Sequence, residues 1–291
     1  MSAKTLIVIA GPTAIGKSSL ALKLAKEFGS EIISADSRQL YRKLNIGTAK
    51  PSKEELEQVK HHFIDSLDVQ EDYSAGQFAR DCNKLLEDAF KERDAMILCG
   101  GSGLYIDALV KGFDTASEAN LPLREELNAL LEKEGIEAIR KKLLNQDPET
   151  QAELDNPRRI IRALEILASG QKNTETKGSP SYQVKGIVLE MEREQLYERI
   201  NARVDQMMED GLLEEVKSLL SYQKLNALQT VGYKELFSFL NEELSLEEAI
   251  AKIKQHSRNY AKRQITWNKR YEEFGRFQAA DYAEIIKFLK N

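Results

Sequence analysis

The stretch from Thr5 to Phe28 leaves this chain few folds to choose from. Thr5-Leu-Ile-Val-Ile-Ala10 is an unbroken run of β-forming and apolar residues, the pattern of a strand buried on both faces. Gly11-Pro-Thr-Ala-Ile-Gly-Lys-Ser18 follows at once and fits G-x-x-x-x-G-K-[ST]. From Ser19 onward Leu20, Ala21, Leu24, Ala25 and Phe28 recur at helical spacing, and Gly29 supplies a stop. Strand, glycine loop and helix together make the setting of a phosphate-binding loop. Gly11 and Gly16 allow backbone angles that turn N–H groups inward, with Pro12, Thr13, Ala14 and Ile15 completing the cradle. Lys17 adds a point charge, and the Ser18 hydroxyl can ligate Mg²⁺. A plain glycine turn would not explain Lys17-Ser18 at the start of a helix.

Beyond this unit the sequence alternates. Glu31-Ile-Ile-Ser-Ala-Asp36 reads as a second strand ending in a carboxylate, and Ala95-Met-Ile-Leu-Cys99 as another, closing on Gly100-Gly-Ser102-Gly103. Helical segments over 52–60 and 74–93 lie between them. Strands alternating with helices predict a parallel sheet of the P-loop NTPase type, with ligands outside the carboxyl ends of the strands. Lys17, Asp36 and Ser102 all fall at that edge. Three polar clusters converging there are the internal evidence for an active site.

From about Thr115 the pattern is helical until Lys185-Gly-Ile-Val-Leu-Glu-Met191, so 1–114 reads as the α/β core and 115–184 as an all-helical insertion. Residues 185–291 read as a return strand and C-terminal helices completing the core. Within the insertion, Asn156 is a fitting N-cap and Pro157 a fitting first helical residue. Arg158, Arg159 and Arg162 then crowd the first turns, where the helix dipole disfavours cations. That placement fits an anionic partner; a solvated face paired to Glu165 is the competing reading. Gly170 to Pro180 reads as a polar loop.

Arg203 falls inside the apolar stripe of Leu196, Ile200, Val204 and Met207. An arginine there is either paired structurally or turned toward a buried anion. The segment 252–271 holds seven lysines and arginines and no acid, in a protein of net charge −5. Lys254, Arg258, Lys262 and Lys269 share one arc of the helix, which reads as a track for a nucleic-acid backbone. With that net charge, RNA affinity has to come from such local patches.

No apolar run approaches the ~18 residues of a membrane span, and the first strand starts too early for a signal peptide. Two cysteines and no Cys/His cluster of zinc spacing point to a reducing cytoplasm. The residues alone thus lead to a transferase that uses a phosphate-bearing donor and acts on a nucleic acid. An ATP-dependent small-molecule kinase, with Asp36 holding Mg²⁺, is the alternative from a different class, since phosphate loops commonly bind nucleotides such as ATP.

Several segments, in order, resemble the tRNA dimethylallyltransferase (tRNA isopentenyltransferase) family in its bacterial form. They are the phosphate loop, Ser34-Ala-Asp-Ser-Arg-Gln39, Tyr41-Arg42, Asn45 to Pro51, His61 to Asp65, Gly100 to Tyr105, Arg159 to Glu165, Val231-Gly-Tyr233 and Lys262 to Trp267. The resemblance implies transfer of a dimethylallyl group from dimethylallyl diphosphate to N6 of the adenine at tRNA position 37, beside the anticodon. Lys17, Arg203 and Mg²⁺ on Ser18 would neutralise the departing diphosphate, and Asp36 would take the proton from the amine. Ser102 would hold the base or Asp36. Ser37, Arg38 and Gln39 would read the flipped-out base and its neighbours. Leu123, Arg124, Arg158, Arg159 and Arg162 of the insertion, with Lys262, Arg263 and Gln264, would grip the anticodon stem-loop. A monomer is expected. The related adenylate isopentenyltransferases, which prenylate a free nucleotide, have no need of the insertion or the basic track.

Overall fold

The computed structural model describes residues 4–112, 120–150, 152–170 and 181–291. The expected start of the insertion at 115, and all but the first residue of the loop expected over 170–180, lie outside the described residues. Six strands form one sheet: β1 (Thr5–Ala10), β2 (Ile32–Ser34), β3 (His61–His62), β4 (Ala95–Cys99), β5 (Gln183–Leu189) and β6 (Gly275–Phe277). Their order is β3-β2-β4-β1-β5-β6, and every neighbouring pair is parallel. The sheet is thus of the expected P-loop kind, with β1 and β4 central. β3 and β6 are additional to the strands read from sequence, β6 lying in the segment after Glu192 that reads as mostly helical. A run of two or three residues is too short for a period of two to register.

The helices are α1 (Lys17–Phe28), α2 (Lys53–Gln58), α3 (Ala75–Glu92), α4 (Gly103–Asp107), α5 (Leu121–Glu134) and α6 (Ile136–Gln146). After them come α7 (Pro157–Ala168), α8 (Arg193–Glu209), α9 (Leu212–Ser218), α10 (Tyr233–Leu240), α11 (Leu246–Asn268) and α12 (Tyr282–Lys290). The alternation of β1 divides the core. Leu6, Val8 and Ala10 pack with α3 residues such as Phe78 and Leu86, whereas Ile7 and Ile9 pack with Leu20 and Leu24 of α1. Burying both faces is what a continuous apolar strand demands.

The chain divides into two compact units, Met1–Lys111 with Ser179–Asn291, and Gly112–Gly178. The second has its own core of Leu127, Ile139, Leu143, Ile160, Ile161 and Leu164. Asn156 caps α7 by accepting the Arg158 N–H, and Pro157 opens the helix. No helix among the described residues is long and apolar enough to cross a membrane.

Candidate active site

The phosphate loop joins β1 to α1, so it lies at the carboxyl edge of the sheet. Gly11 (φ +151°), Ala14 (φ +63°) and Gly16 (φ +106°) all take positive φ. Two of these were legible as glycines, but the left-handed Ala14 carries no sequence signal. Lys17 Nζ donates to the Pro12 carbonyl at 2.7 Å. Burial lowers the Lys17 pKa to about 8; the charge of Arg203 adds to the effect, while Cys99 and Asp36 oppose it. Ser18 is exposed in the first turn of α1. Among the described residues no three His, Cys, Asp or Glu side chains gather into a metal cluster. Mg²⁺ on a phosphate substrate needs only one or two protein oxygens, so a lone serine hydroxyl beside a diphosphate is a donor set that fits it.

Asp36 stands two residues beyond the end of β2. Its Oδ1 accepts the backbone N–H of Arg38 (2.9 Å) and, at longer range, that of Gln39 (3.4 Å). An Asx turn of this kind fixes the carboxylate at the edge of the sheet. Ser102, after β4, meets the neighbour of Asp36: its Oγ accepts the Ser37 N–H at 3.0 Å and lies 3.3 Å from the Ser37 hydroxyl. It therefore pins the residue next to the carboxylate. Arg38 donates to the Asn226 carbonyl. Gln39, expected to read the base, is held within the protein in this structure. Its amide donates to the carbonyls of Thr48 and Ala49 and accepts the Ser34 hydroxyl, so both ends are occupied within the protein.

A cavity of about 650 Å³ opens beside these groups, lined by Thr13, Ala14, Asp36, Arg203, Tyr260 and Arg263 among others. Ile200, Val204, Met207 and Ile253 give it an apolar wall. Arg203 is partly buried and, among the described residues, makes no ion pair. Burial pushes its pKa below the usual guanidinium range, and the charge of Asp36 works against that push. The arginine in the apolar stripe thus faces the cavity. Two further residues escaped the sequence reading. Arg199, one turn before Arg203, brings a guanidinium nitrogen to 3.9 Å from where a Cβ on Gly16 would stand, and it makes no ion pair among the described residues. Tyr260 donates to the Gly101 carbonyl at 3.3 Å, and its hydroxyl pKa is raised by burial and by the charge of Asp36. The signal for Arg199 was its i, i+4 spacing to Arg203; nothing marked Tyr260.

The basic helix α11 divides. Lys254 pairs with Asp205 at 2.5 Å, Arg258 donates to Asn201 at 2.7 Å, and the Lys262 ammonium sits 6.0 Å from the Tyr197 ring centre. The arc expected to run as an open track is therefore laid along the 197, 201 and 205 face of α8. Lys252 and Arg263 point instead to the cavity, so the basic residues do not all lie away from the catalytic edge. Gln264, expected to read RNA, is 6% exposed, and its amide joins Thr13 to Gly101 within the protein.

In the helical unit, Arg124 makes a bidentate pair with Glu165 (2.8 and 2.9 Å). Arg162 reaches the same carboxylate at 3.3 Å, and Arg159 pairs with Glu153 at 3.3 Å. Arg158 is exposed. Leu123 packs against the unit's core.

The sequence pattern of the family described as IPP transferase matches residues 39–271. A tRNA dimethylallyltransferase 1 from Bacteroides thetaiotaomicron is 44% identical over 293 residues, which cover 98% of this chain and 95% of that protein. Among solved structures, the tRNA isopentenylpyrophosphate transferase of Bacillus halodurans superposes with a TM-score of 0.75 at 38% identity, covering 99% of this chain and 96% of that one. A eukaryotic dimethylallyltransferase, solved acting on tRNA, superposes with a TM-score of 0.78 at 32% identity, over 91% of this chain and 70% of its own.

Proposed function

The chain belongs to the IPP transferase family, and on that footing we propose that it transfers a dimethylallyl group from dimethylallyl diphosphate to N6 of the adenine at tRNA position 37. The observation that carries this reading is geometric: Asp36 and Arg203 line one cavity together with Thr13 and Ala14 of the phosphate loop, and Lys17 closes that loop on Pro12. Two cations suit a diphosphate and one carboxylate suits the amine that displaces it.

The adenine N6 lone pair attacks C1 of the prenyl group. The C1–O bond breaks, and its electrons leave with the diphosphate, whose growing charge Lys17 and Arg203 neutralise. The proton lost from N6 passes to Asp36. The Ser18 hydroxyl would hold Mg²⁺, which would supply further charge neutralisation when bound. The apolar wall of Ile200, Val204 and Met207 shelters the prenyl group from water. Arg158 and Arg159 of the helical unit, with Arg263 and Lys262 on α11, engage phosphates of the anticodon arm; Leu123, Arg124 and Arg162 support that surface. The enzyme works as a monomer in the cytoplasm.

The test is incubation with radiolabelled dimethylallyl diphosphate and tRNA. Label should enter tRNA with adenine at position 37 and not the same tRNA with guanine there. Asp36→Asn should keep tRNA affinity and lose transfer by ~10²-fold or more. Label appearing on free AMP would favour the adenylate enzyme, and ATP hydrolysis without label transfer would favour the kinase.

A further inference from the structure

Gln264 sits in the last turns of α11, yet its hydrogen bonds go to two loops at the other end of the sequence. Oε1 accepts the Thr13 N–H at 2.8 Å, and Nε2 donates to the Gly101 carbonyl at 2.9 Å. One loop is the phosphate cradle; the other is the turn after β4. We propose that Gln264 is a positioning residue that sets the spacing between the donor's diphosphate and the carboxylate of Asp36. This rests on the transferase reading above.

The argument is one of connectivity. Gly101 precedes Ser102, whose Oγ accepts the N–H of Ser37, the residue next to Asp36. A continuous path therefore runs from Thr13 through Gln264, Gly101, Ser102 and Ser37 to Asp36. Two side chains close it: Ser102, which reaches 65 residues back to Ser37, and Gln264, which reaches 163 residues to Gly101 and 251 to Thr13. The chemistry of the position is restrictive: one end must accept from an N–H and the other must donate to a carbonyl. A primary amide does both without charge, from two atoms at the tip of one flexible side chain. Glutamate would accept from Thr13 but face the Gly101 carbonyl with a second oxygen, and lysine could not accept at all.

The surroundings fit the same role. A Cβ at Gly101 would lie 2.3 Å from Gln264 Nε2, so only glycine lets the amide approach. Tyr260, one turn earlier on α11, donates to the same carbonyl at 3.3 Å and so fixes its direction. Gln264 is 6% exposed, which strengthens both bonds by excluding water and removes it from any RNA surface. The Thr13 N–H, moreover, points to Gln264 rather than into the cradle. Its contribution is to shape, not to anion binding.

In an in-line displacement the attacking nitrogen and the leaving oxygen must be held within a few tenths of an ångström. A shift of about 1 Å costs on the order of 10²-fold in rate. Loss of a positioning contact should therefore appear in kcat and not in binding. The experiment measures kcat, the donor KM, tRNA Kd and melting temperature for wild type, Gln264→Ala, Gln264→Glu and Gly101→Ala. Gly101→Ala displaces the amide while keeping glutamine, so it reports on the contact even if a Gln264 variant fails to fold. Roughly 10- to 100-fold loss of kcat is expected in each folded variant, with donor KM and tRNA Kd within about twofold of wild type. Gln264→Asn, with the same chemistry one methylene short, should recover part of that loss.

Folded variants with wild-type kcat would overturn the proposal, whatever their melting temperatures. A weaker tRNA Kd with kcat intact at saturation would overturn it in favour of RNA contact. Wild type is assayed in parallel: a wild type that labels no tRNA sinks the transferase reading, whereas an active wild type with an equally active Gln264→Ala sinks only this inference.

Discussion

The Lys17 ammonium is hydrogen-bonded across the phosphate loop to the carbonyl of Pro12, two residues into that same loop. Burial holds its pKa near about 8, so a shift of one pH unit decides how much of the site is charged. A diphosphate favours the ammonium form and raises the proton affinity in the complex. The sign follows from linkage. Below about pH 8 the lysine is charged beforehand and affinity is level; above it, binding weakens by up to about tenfold per pH unit until the pKa of the complex is passed. Titrating dimethylallyl diphosphate binding from neutral pH upward should show that rise in Kd. Lys17→Arg, which stays charged, should abolish it. A rise with the same midpoint in that variant would assign the titration to another group.

Arg203 and Arg199 occupy one face of α8, a turn apart, but Arg203 is partly buried, near Asp36 and Lys17, whereas Arg199 is exposed. Charge that develops on the leaving group is stabilised best by a cation shielded from water. Arg203→Ala should lower kcat by ~10²-fold, and Arg203→Lys should restore only part, since a guanidinium fork is replaced by a point charge. Arg199 is exposed at Gly16, where it contributes to ground-state binding. Arg199→Ala should raise the donor KM by roughly threefold to tenfold and leave kcat near wild type. Steady-state kinetics on the two variants separates these roles. Equal effects on kcat would mean that both arginines face the developing charge.

Glu165 has no exposed side-chain surface, whereas Arg124, which holds it with two hydrogen bonds, is about 41% exposed. Removing the arginine strands a carboxylate in the helical unit, with Arg162 as its remaining cation. Arg124→Ala should therefore destabilise that unit by about 3 kcal/mol, and replacing both partners by leucine should recover most of the loss. Denaturant unfolding monitored by helix content tests this. Full stability in Arg124→Ala would show that Arg162 alone suffices, and would free Arg124 for RNA.

Legibility followed the range of the interactions involved. The β1–loop–α1 unit was readable because strand, cradle and cap are set by consecutive residues. Asp36 and Ser102 were readable because each follows a strand end, and Arg203 because a cation in an apolar stripe is a local contradiction. What sequence could not give was the partner. Glu165 lies 41 residues from Arg124, and Thr13 lies 251 residues from Gln264. An amide or guanidinium looks equally available in both cases until the fold brings up the group that occupies it. β3 and β6 were hidden for a related reason: strands of two and three residues are defined by their ladder neighbours, not by a pattern of their own.

The division of α11 makes the last prediction. Helical periodicity treats Lys254 and Arg263 alike, as members of one basic helix. Their surroundings differ: Asp205 neutralises Lys254 at 2.5 Å, while Arg263 lies over the Tyr260 ring, makes no ion pair among the described residues, and lines the cavity. Counterion release depends on cations that neutralise phosphate, so a lysine already paired in the protein releases few ions on binding RNA. Arg263→Ala should shrink the slope of log K against log salt by roughly 0.7, the value for one phosphate on a single strand, or roughly 0.9 on a duplex. Lys254→Ala should leave that slope unchanged. Lys262 is exposed beside Tyr197 and should behave as Arg263 does. Measuring tRNA affinity for the three variants across a salt series distinguishes them directly. Should Lys254→Ala reduce the slope as much as Arg263→Ala, the Asp205 pair opens on RNA binding, and the arc along α8 is part of the RNA surface after all.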